Sequence, residues 1–252
     1  MTSDGITRIT ANEQAHPKVR VLAFPFAGGS GGAYQAWQPY LDPSIEVIAY
    51  TAPGRTNRFV EPAIGSMKEL VADAWAQLAP YLDIPCILFG HSLGGLLAYE
   101  FLIKYKNNMG KMPLHFISSA RGAPHIKAMQ NWSQKNDADF LHSLAELGGI
   151  HPDAAASPEL LQLMLNTLRA DIGVVEYFKY SDAGPFPCPA TIFGGIDDNR
   201  VSVDDLEQWR QYFEQEVEVV VLEAAHFYLD SHAETLCRKL NSIASTAVLG
   251  MV

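Results

Sequence analysis

The chain has 252 residues, a length at which α/β folds commonly form one unit. Of these residues 48% are hydrophobic and 18% charged, a composition typical of a globular rather than a disordered or fibrous protein. Its formal charge of −10 argues against a nucleic-acid-binding protein, because such proteins neutralise phosphates with basic faces. The three cysteines lack metal-ligand spacing and cannot all pair, so we expect them to be reduced. No signal-peptide pattern or bilayer-spanning stretch is evident, and a cytoplasmic location is expected by default.

The first part of the chain predicts a leader, a strand and a glycine-rich loop. Residues 1–18 are polar and irregular, and we expect a loose leader there. The apolar run Val19 to Phe24 predicts a strand that leads into the loop at residues 25–32. This loop fits neither the dinucleotide-binding nor the P-loop motif. In an acyl-transfer site it could direct a backbone N–H, that of Ala27, at an oxyanion; an ordinary turn is the alternative.

Strand and helix patterns alternate over the next part of the chain. Apolar runs at residues 45–50, 85–90 and 114–118 predict strands. Ser66 opens a capping-box pattern for an amphipathic helix that extends to about Leu82. This alternation predicts a mainly parallel central sheet covered by helices.

The segment around Ser92 has the pattern of a nucleophile elbow. Ser92 stands between Gly90 and Gly94, directly after an apolar run and directly before a helical pattern. A serine at a strained turn needs glycine neighbours, because strand and helix can then approach closely and leave its hydroxyl exposed. Ser92 is therefore the candidate nucleophile, as in the G-x-S-x-G turn of α/β-hydrolases.

The strand pattern stops between about residues 124 and 184. Helical patterns cover residues 139–147 and then run from a cap at Ser157 to about Tyr180. We predict a helical lid inserted at 124–184 into a single α/β-hydrolase domain spanning 1–252. Its apolar residues exceed one helical stripe, which favours a partly apolar substrate channel; packing of the lid on the body is the alternative.

Two strands are predicted after the lid, and each is followed by a candidate partner for the serine. Asp198 follows the first of these strands and His226 the second, which gives the chain order Ser, Asp, His of α/β-hydrolases. Loops at the carboxyl ends of parallel strands meet at one edge of a sheet, so we expect the three side chains to lie together. His232 is the main rival base. Asp197 is the rival carboxylate. The Asp-x-x-Val spacing, with Val201 expected to pack inward, favours Asp198.

These residues predict two-step acyl transfer. His226 would deprotonate Ser92, and Asp198 would orient the imidazole and stabilise its charged form. The backbone N–H groups of Ala27 and Leu93 would hold the tetrahedral oxyanion, and the same histidine would then activate water. This chemistry needs no metal and no bound cofactor.

Five segments together resemble the type II (external) thioesterases of polyketide synthases and nonribosomal peptide synthetases, and the resemblance covers nearly the whole chain. The segments on which the resemblance rests are residues 24–30 (FPFAGGS), Pro53-Gly54-Arg55 with Arg58, residues 90–95 (GHSLGG), residues 193–198 (FGGIDD) and His226-Phe227. One position departs from the family pattern, because Ala225 stands where the family often has glycine.

The resemblance implies hydrolysis of acyl or aminoacyl thioesters from the phosphopantetheine arm of carrier proteins, which clears stalled or misprimed chains. It also implies transient docking of an acyl or peptidyl carrier domain; a monomer is expected. Basic residues could serve the docking of an acidic carrier, and the candidates are Arg55, Arg58, Lys104, Lys106 and Lys111. For each of them an ordinary solvated surface charge is the alternative and the better-supported interpretation. The alternatives are a medium-chain fatty acyl thioesterase, a general carboxylesterase, and a non-catalytic partner-binding module of the same fold.

Overall fold

The computed structural model describes residues 5–12, 16–127, 131–146 and 157–249, and its centre is one seven-stranded sheet. The strands are β1 (Ile6–Thr10), β2 (Val19–Phe24), β3 (Ile45–Tyr50), β4 (Cys86–His91), β5 (His115–Ser119), β6 (Ala190–Gly195) and β7 (Val217–Leu222). Their spatial order is β1-β3-β2-β4-β5-β6-β7. Every neighbouring pair is parallel except β1 with β3, so the prediction of a mainly parallel sheet is confirmed.

The expectation of a loose leader is wrong for residues 6–10. This segment is β1, an antiparallel edge strand that pairs with β3 from Ile6 opposite Tyr50 to Thr10 opposite Glu46. Of its five residues only Ile9 is fully buried, while Arg8 extends along the strand to the buried carboxylate of Glu46. A short edge strand with one solvated face carries little apolar signal, and its pairing is visible only in the sheet.

Helices cover both faces of the sheet. They are α1 (Met67–Leu78), α2 (Leu93–Met109), α3 (Asp137–Glu146), α4 (Pro158–Glu176), α5 (Val203–Glu207) and α6 (Ala233–Leu249), with short 3₁₀ segments at Gly31–Tyr40, Thr56–Arg58, Ala79–Tyr81 and Gln208–Tyr212. The predicted cap of α1 is present, since Ser66 Oγ accepts from the N–H of Glu69 at 3.3 Å.

The hydrophobic core has two halves, one on each face of the sheet. Along β2 the side chains alternate between them: Leu22 and Phe24 join the half beneath α1 and α2, whereas Val21 and Ala23 join the half beneath α6. A sheet buried on both faces yields continuous apolar strands, which is why β2 to β4 were readable from the sequence. The three cysteines are free and buried within this core.

The predicted lid region contains α3 and α4, which share a small apolar cluster of their own. Phe140 and Leu144 of α3 pack with Leu165, Leu168 and Ile172 of α4. Residues 128–130 and 147–156 of the predicted lid lie outside the described part of the chain. Across the described ranges, no helix is both long and apolar enough to cross a bilayer.

Candidate active site

Ser92 occupies the sharp turn between β4 and α2. The strand ends at His91 and the helix begins at Leu93, which leaves one residue for the change of direction. Its backbone has φ 56° and ψ −115°, a conformation that L-residues adopt only under strain. The N–H of Ser92 donates to the carbonyl of Ser119 at 2.8 Å, which ties the strained residue to the neighbouring strand.

Glycines allow the backbones around this turn to touch. A Cβ on Gly90 would lie 2.0 Å from the carbonyl oxygen of Gly94, and one on Gly94 would lie 1.9 Å from the carbonyl oxygen of Phe24. No side chain fits at such distances. The two glycines therefore let α2 fold back against β4 and against the end of β2, where the glycine-rich loop begins.

The structure brings Ser92, His226 and Asp198 into one hydrogen-bonded chain. His226 Nε2 lies 3.0 Å from Ser92 Oγ, and its Nδ1 lies 2.7 Å from Asp198 Oδ2. The second carboxylate oxygen of Asp198 accepts from the N–H groups of Arg200 and Val201 at 2.9 and 3.3 Å. His226 and Asp198 are both buried, so this geometry is shielded from water.

Close contact between two loops sets the distance from Asp198 to His226. A Cβ on Gly195, at the end of β6, would lie 2.1 Å from the carbonyl oxygen of Ala224, just after β7. The alanine at position 225 is exposed, and the loop presents His226 despite the departure from glycine. The rival carboxylate Asp197 is also exposed, and it stands outside the chain of hydrogen bonds to His226.

The other inward-facing histidines have partners of their own. His91 Nδ1 bonds Ser119 Oγ at 2.9 Å, and burial together with nearby His226 lowers the pKa of His91 well below its ordinary value. His115 Nε2 bonds the hydroxyl of Thr191 at 2.9 Å, and burial lowers its pKa to about 4. The rival base His232 bonds its neighbour Ser231 at 3.0 Å. His226 is thus the histidine that the structure places on Ser92.

The two predicted oxyanion donors flank the serine. Leu93 is the first residue of α2, and the first N–H groups of a helix have no partner within it. Ala27 precedes Gly28, which has φ +78° in the tight turn closed by the bond from Gly29 N–H to the Phe26 carbonyl at 2.8 Å. Ala27 packs against the core half beneath α1 and α2 and against the apolar cluster of α3 and α4. The oxyanion role of both residues remains a prediction.

A small pocket lies at the serine, and two larger apolar cavities lie between the glycine loop and α4. The pocket at Ser92 and His226 is only about 20 Å³, while two larger cavities of about 380 and 230 Å³ open on the side of the glycine loop. Both are lined by Gly28 and by Met164 and Leu168 of α4. The apolar substrate channel under a lid remains a prediction.

Arg55 and Arg58 do not form a basic docking surface, and neither is a solvated surface charge. The guanidinium of Arg55 forms a two-pronged ion pair with Asp171 of α4, at 2.6 and 2.9 Å. Arg58 pairs in the same manner with Asp73 at 2.7 and 2.8 Å. Both guanidinium groups are buried, and the carboxylate partners compensate the cost of burying their charge; Arg58 also pairs with Glu61.

Asp171 is a site residue that the sequence did not reveal. One of its oxygens, Oδ2, also accepts from the N–H of Gly28 at 2.7 Å, directly after the predicted oxyanion donor Ala27. Arg55 in turn donates to the carbonyl of Gly29 at 3.2 Å. Arg55 and Asp171 are separated by 116 residues in sequence, and no local sequence pattern links them.

Comparison with known proteins relates the chain to thioesterases. The family model described as "Thioesterase domain" matches residues 19–244. The gramicidin S biosynthesis protein GrsT of Aneurinibacillus migulanus is 31% identical over 95% of this chain and 96% of its own length. The RedJ thioesterase of the prodiginine pathway in Streptomyces coelicolor superposes with a TM-score of 0.85 at 27% identity, covering 90% of this chain and 91% of RedJ. YbtT, a type II thioesterase from the yersiniabactin pathway, superposes with a TM-score of 0.82 at 28% identity, covering 95% of this chain and 98% of YbtT.

Proposed function

Because this chain belongs to the thioesterase domain family, we propose that it is a type II thioesterase that removes acyl or aminoacyl groups from the phosphopantetheine arm of carrier proteins. The observation that carries the proposal is the unbroken chain of hydrogen bonds from Ser92 through His226 to Asp198, together with apolar cavities that are lined by the glycine loop and α4. The proposed role is to clear stalled or misprimed chains in polyketide or nonribosomal peptide synthesis in the cytoplasm.

The catalytic cycle follows from the positions of the three side chains. Ser92 Oγ attacks the thioester carbonyl while its proton passes to His226 Nε2, 3.0 Å away. The imidazolium that forms is stabilised by Asp198, whose Oδ2 lies 2.7 Å from Nδ1. His226 protonates the departing thiolate of the arm, and the same nitrogen then draws a proton from water, which attacks the acyl-serine. When the acyl–oxygen bond breaks, His226 returns this proton to Ser92 Oγ and the acid is released.

The oxyanion of each tetrahedral intermediate needs preorganised donors. The proposed donors are the N–H of Leu93 at the start of α2 and that of Ala27 in the glycine loop. The positive end of the helix dipole at Leu93 adds to this stabilisation. Such donors act in a site with little room for water, since the pocket at Ser92 holds about 20 Å³.

The acyl chain is proposed to occupy the cavities beneath α4. Their linings include Phe26, Leu168, Phe227 and Leu229 in one cavity and Phe59 and Leu163 in the other. Burial of apolar chain atoms there contributes about 0.8 kcal/mol for each methylene group. Medium-chain acyl groups remain the second candidate substrates, because an apolar cavity of about 380 Å³ also suits them.

The carrier is proposed to approach from the basic side of the catalytic pocket. A cavity of about 260 Å³, lined in part by Lys127 and Lys179, shares Arg121 and Val175 with the pocket at Ser92. Lys104 and Lys106 are less suitable, since they lie roughly 16–20 Å along α2 from its first residue. An acidic carrier would meet positive charge near the thioester despite the net charge of −10.

A paired substrate comparison tests the proposal. Purified enzyme is given an acyl group as a thioester on a carrier protein and the same acyl group as a p-nitrophenyl ester. We expect the higher kcat/KM on the carrier thioester, because carrier and arm add binding energy that the small ester lacks. An acyl thioester of N-acetylcysteamine serves as the control that separates thioester chemistry from carrier recognition. A clear preference for the oxygen ester would contradict the assignment and favour a carboxylesterase.

A further inference from the structure

The lid helix α4 contacts the glycine loop at two points close to the predicted oxyanion donor. A Cβ on Gly28 would lie 2.5 Å from Leu168 Cδ2, so the helix packs directly on the loop backbone. One turn further along, Asp171 Oδ2 accepts from the N–H of Gly28 at 2.7 Å. The loop residue that follows Ala27 is thus bonded to the lid and not only to the body.

Arg55 fixes the carboxylate that holds this loop. It pairs with both oxygens of Asp171 and donates to the carbonyl of Gly29, so the loop is bound on its N–H side by Asp171 and on its carbonyl side by Arg55. The side chain of Asp171 is 1% exposed and that of Arg55 is 8% exposed. A buried ion pair with two parallel hydrogen bonds fixes the orientation of both charged groups. Thr167 adds a bond from its hydroxyl to the carbonyl of Gly54 at 2.9 Å, beside Arg55.

The same helix lines the acyl cavities. Met164 and Leu168 face both cavities, and Asp171 follows Leu168 by three residues, which is one turn of the helix. A single rigid element therefore carries the wall of the proposed acyl site and the acceptor for the glycine loop.

We propose that Asp171 is a positioning residue that, held by Arg55, fixes the Ala27–Gly28 peptide through the N–H of Gly28 and so orients the adjoining Phe26–Ala27 peptide, whose N–H is the predicted oxyanion donor. Turnover thereby depends on the position of α4 against the glycine loop. The proposal rests on the proposed acyl-transfer function, in which Ala27 is an oxyanion donor. It assigns to the Pro-Gly-Arg segment a part in assembling the site: Arg55 acts through Asp171 and touches no reacting atom.

Two double variants isolate the bond from Asp171 to Gly28. Both replace the ion pair, because removing one partner alone would leave a buried charge. Arg55→Met with Asp171→Asn keeps a carbonyl oxygen that can accept from Gly28, whereas Arg55→Met with Asp171→Leu removes the acceptor. The assay uses a p-nitrophenyl acyl ester, which the triad hydrolyses whatever its natural acyl donor, so failure of the carrier-thioester assignment would not decide this proposal.

The leucine double variant is expected to lose about ten- to a hundredfold in kcat relative to the asparagine double variant, since loss of a whole oxyanion donor costs about 10²–10³-fold. KM should stay within about twofold. The affinity for an alkyl boronic acid, whose serine adduct resembles the tetrahedral intermediate, should fall by the same factor as kcat. Equal kcat in the two double variants, or a loss confined to KM, would overturn the proposal.

A single-substitution pair keeps the test decisive if a double variant is too unstable to purify. Asp171→Leu is compared with Asp73→Leu, which disturbs the partly buried pair with Arg58 but has no bond to Gly28 or Gly29. The proposal predicts a loss of kcat and of boronate affinity in Asp171→Leu beyond that in Asp73→Leu at matched melting temperature. Parallel losses in both would mean that Asp171 serves stability alone.

Discussion

Ser92→Ala is expected to reduce kcat for thioester hydrolysis by about a millionfold, the size of effect that loss of the nucleophile has in serine proteases. The reason is that no acyl-enzyme can form, while the oxyanion donors and the acyl cavities persist. The fold should be unaffected, because alanine can occupy the turn and the N–H of residue 92 still bonds to Ser119. Hydrolysis of an acyl-carrier thioester, followed by intact mass of the carrier, measures the loss.

Ser118→Ala provides a matched control for Ser92→Ala. The hydroxyl of Ser118 is buried next to Gly95 of α2, and it has no hydrogen-bond partner within the described residues. Its removal should change kcat little. A Ser92→Ala enzyme that turns over at a rate close to that of wild type would refute the acyl-serine mechanism.

Asp198→Asn is expected to lower kcat by about 10⁴-fold with little change in stability. An asparagine at this position can still accept from the N–H groups of Arg200 and Val201 through its carbonyl oxygen. Its amide nitrogen would face His226 Nδ1, however, and would favour the tautomer in which Nε2 carries the proton. That imidazole cannot deprotonate Ser92. The kcat on an acyl ester and the melting temperature, measured together, separate the loss of catalysis from a loss of fold.

Asp197→Asn is the control for Asp198→Asn. Asp197 is adjacent in sequence but exposed, and the same chemical change there should leave kcat within about twofold. A larger loss from Asp197→Asn than from Asp198→Asn would reverse the assignment of the orienting carboxylate.

Much of the fold and the proximity of three site residues could be predicted because their signals are local or topological. The elbow at Ser92 is a contiguous pattern, and the parallel strands carry Asp198 and His226 to the same edge of the sheet. Strands buried on both faces, such as Ile45–Tyr50, have an apolar pattern that a sequence shows directly.

The features that the sequence did not reveal depend on partners far away in the chain. β1 is a strand because β3 offers it an edge, and its own five residues show little of this. The sequence alone favours a surface position for Arg55, since basic residues are mostly exposed and its partner Asp171 lies 116 residues away in the chain. Pairing of buried charges is decided by tertiary structure, which neither composition nor periodicity contains.

Labelling with an alkyl fluorophosphonate, read by peptide mass spectrometry in the presence of a carrier protein, tests the central claim most directly. The carrier bears the acyl group through an amide, which the enzyme cannot readily cleave. We predict one adduct, on Ser92, and slower labelling with this carrier than with a carrier bearing the bare phosphopantetheine arm. An adduct on another residue, or labelling at the same rate with both carriers, would contradict the account of Ser92 as the nucleophile that receives acyl groups from carrier proteins.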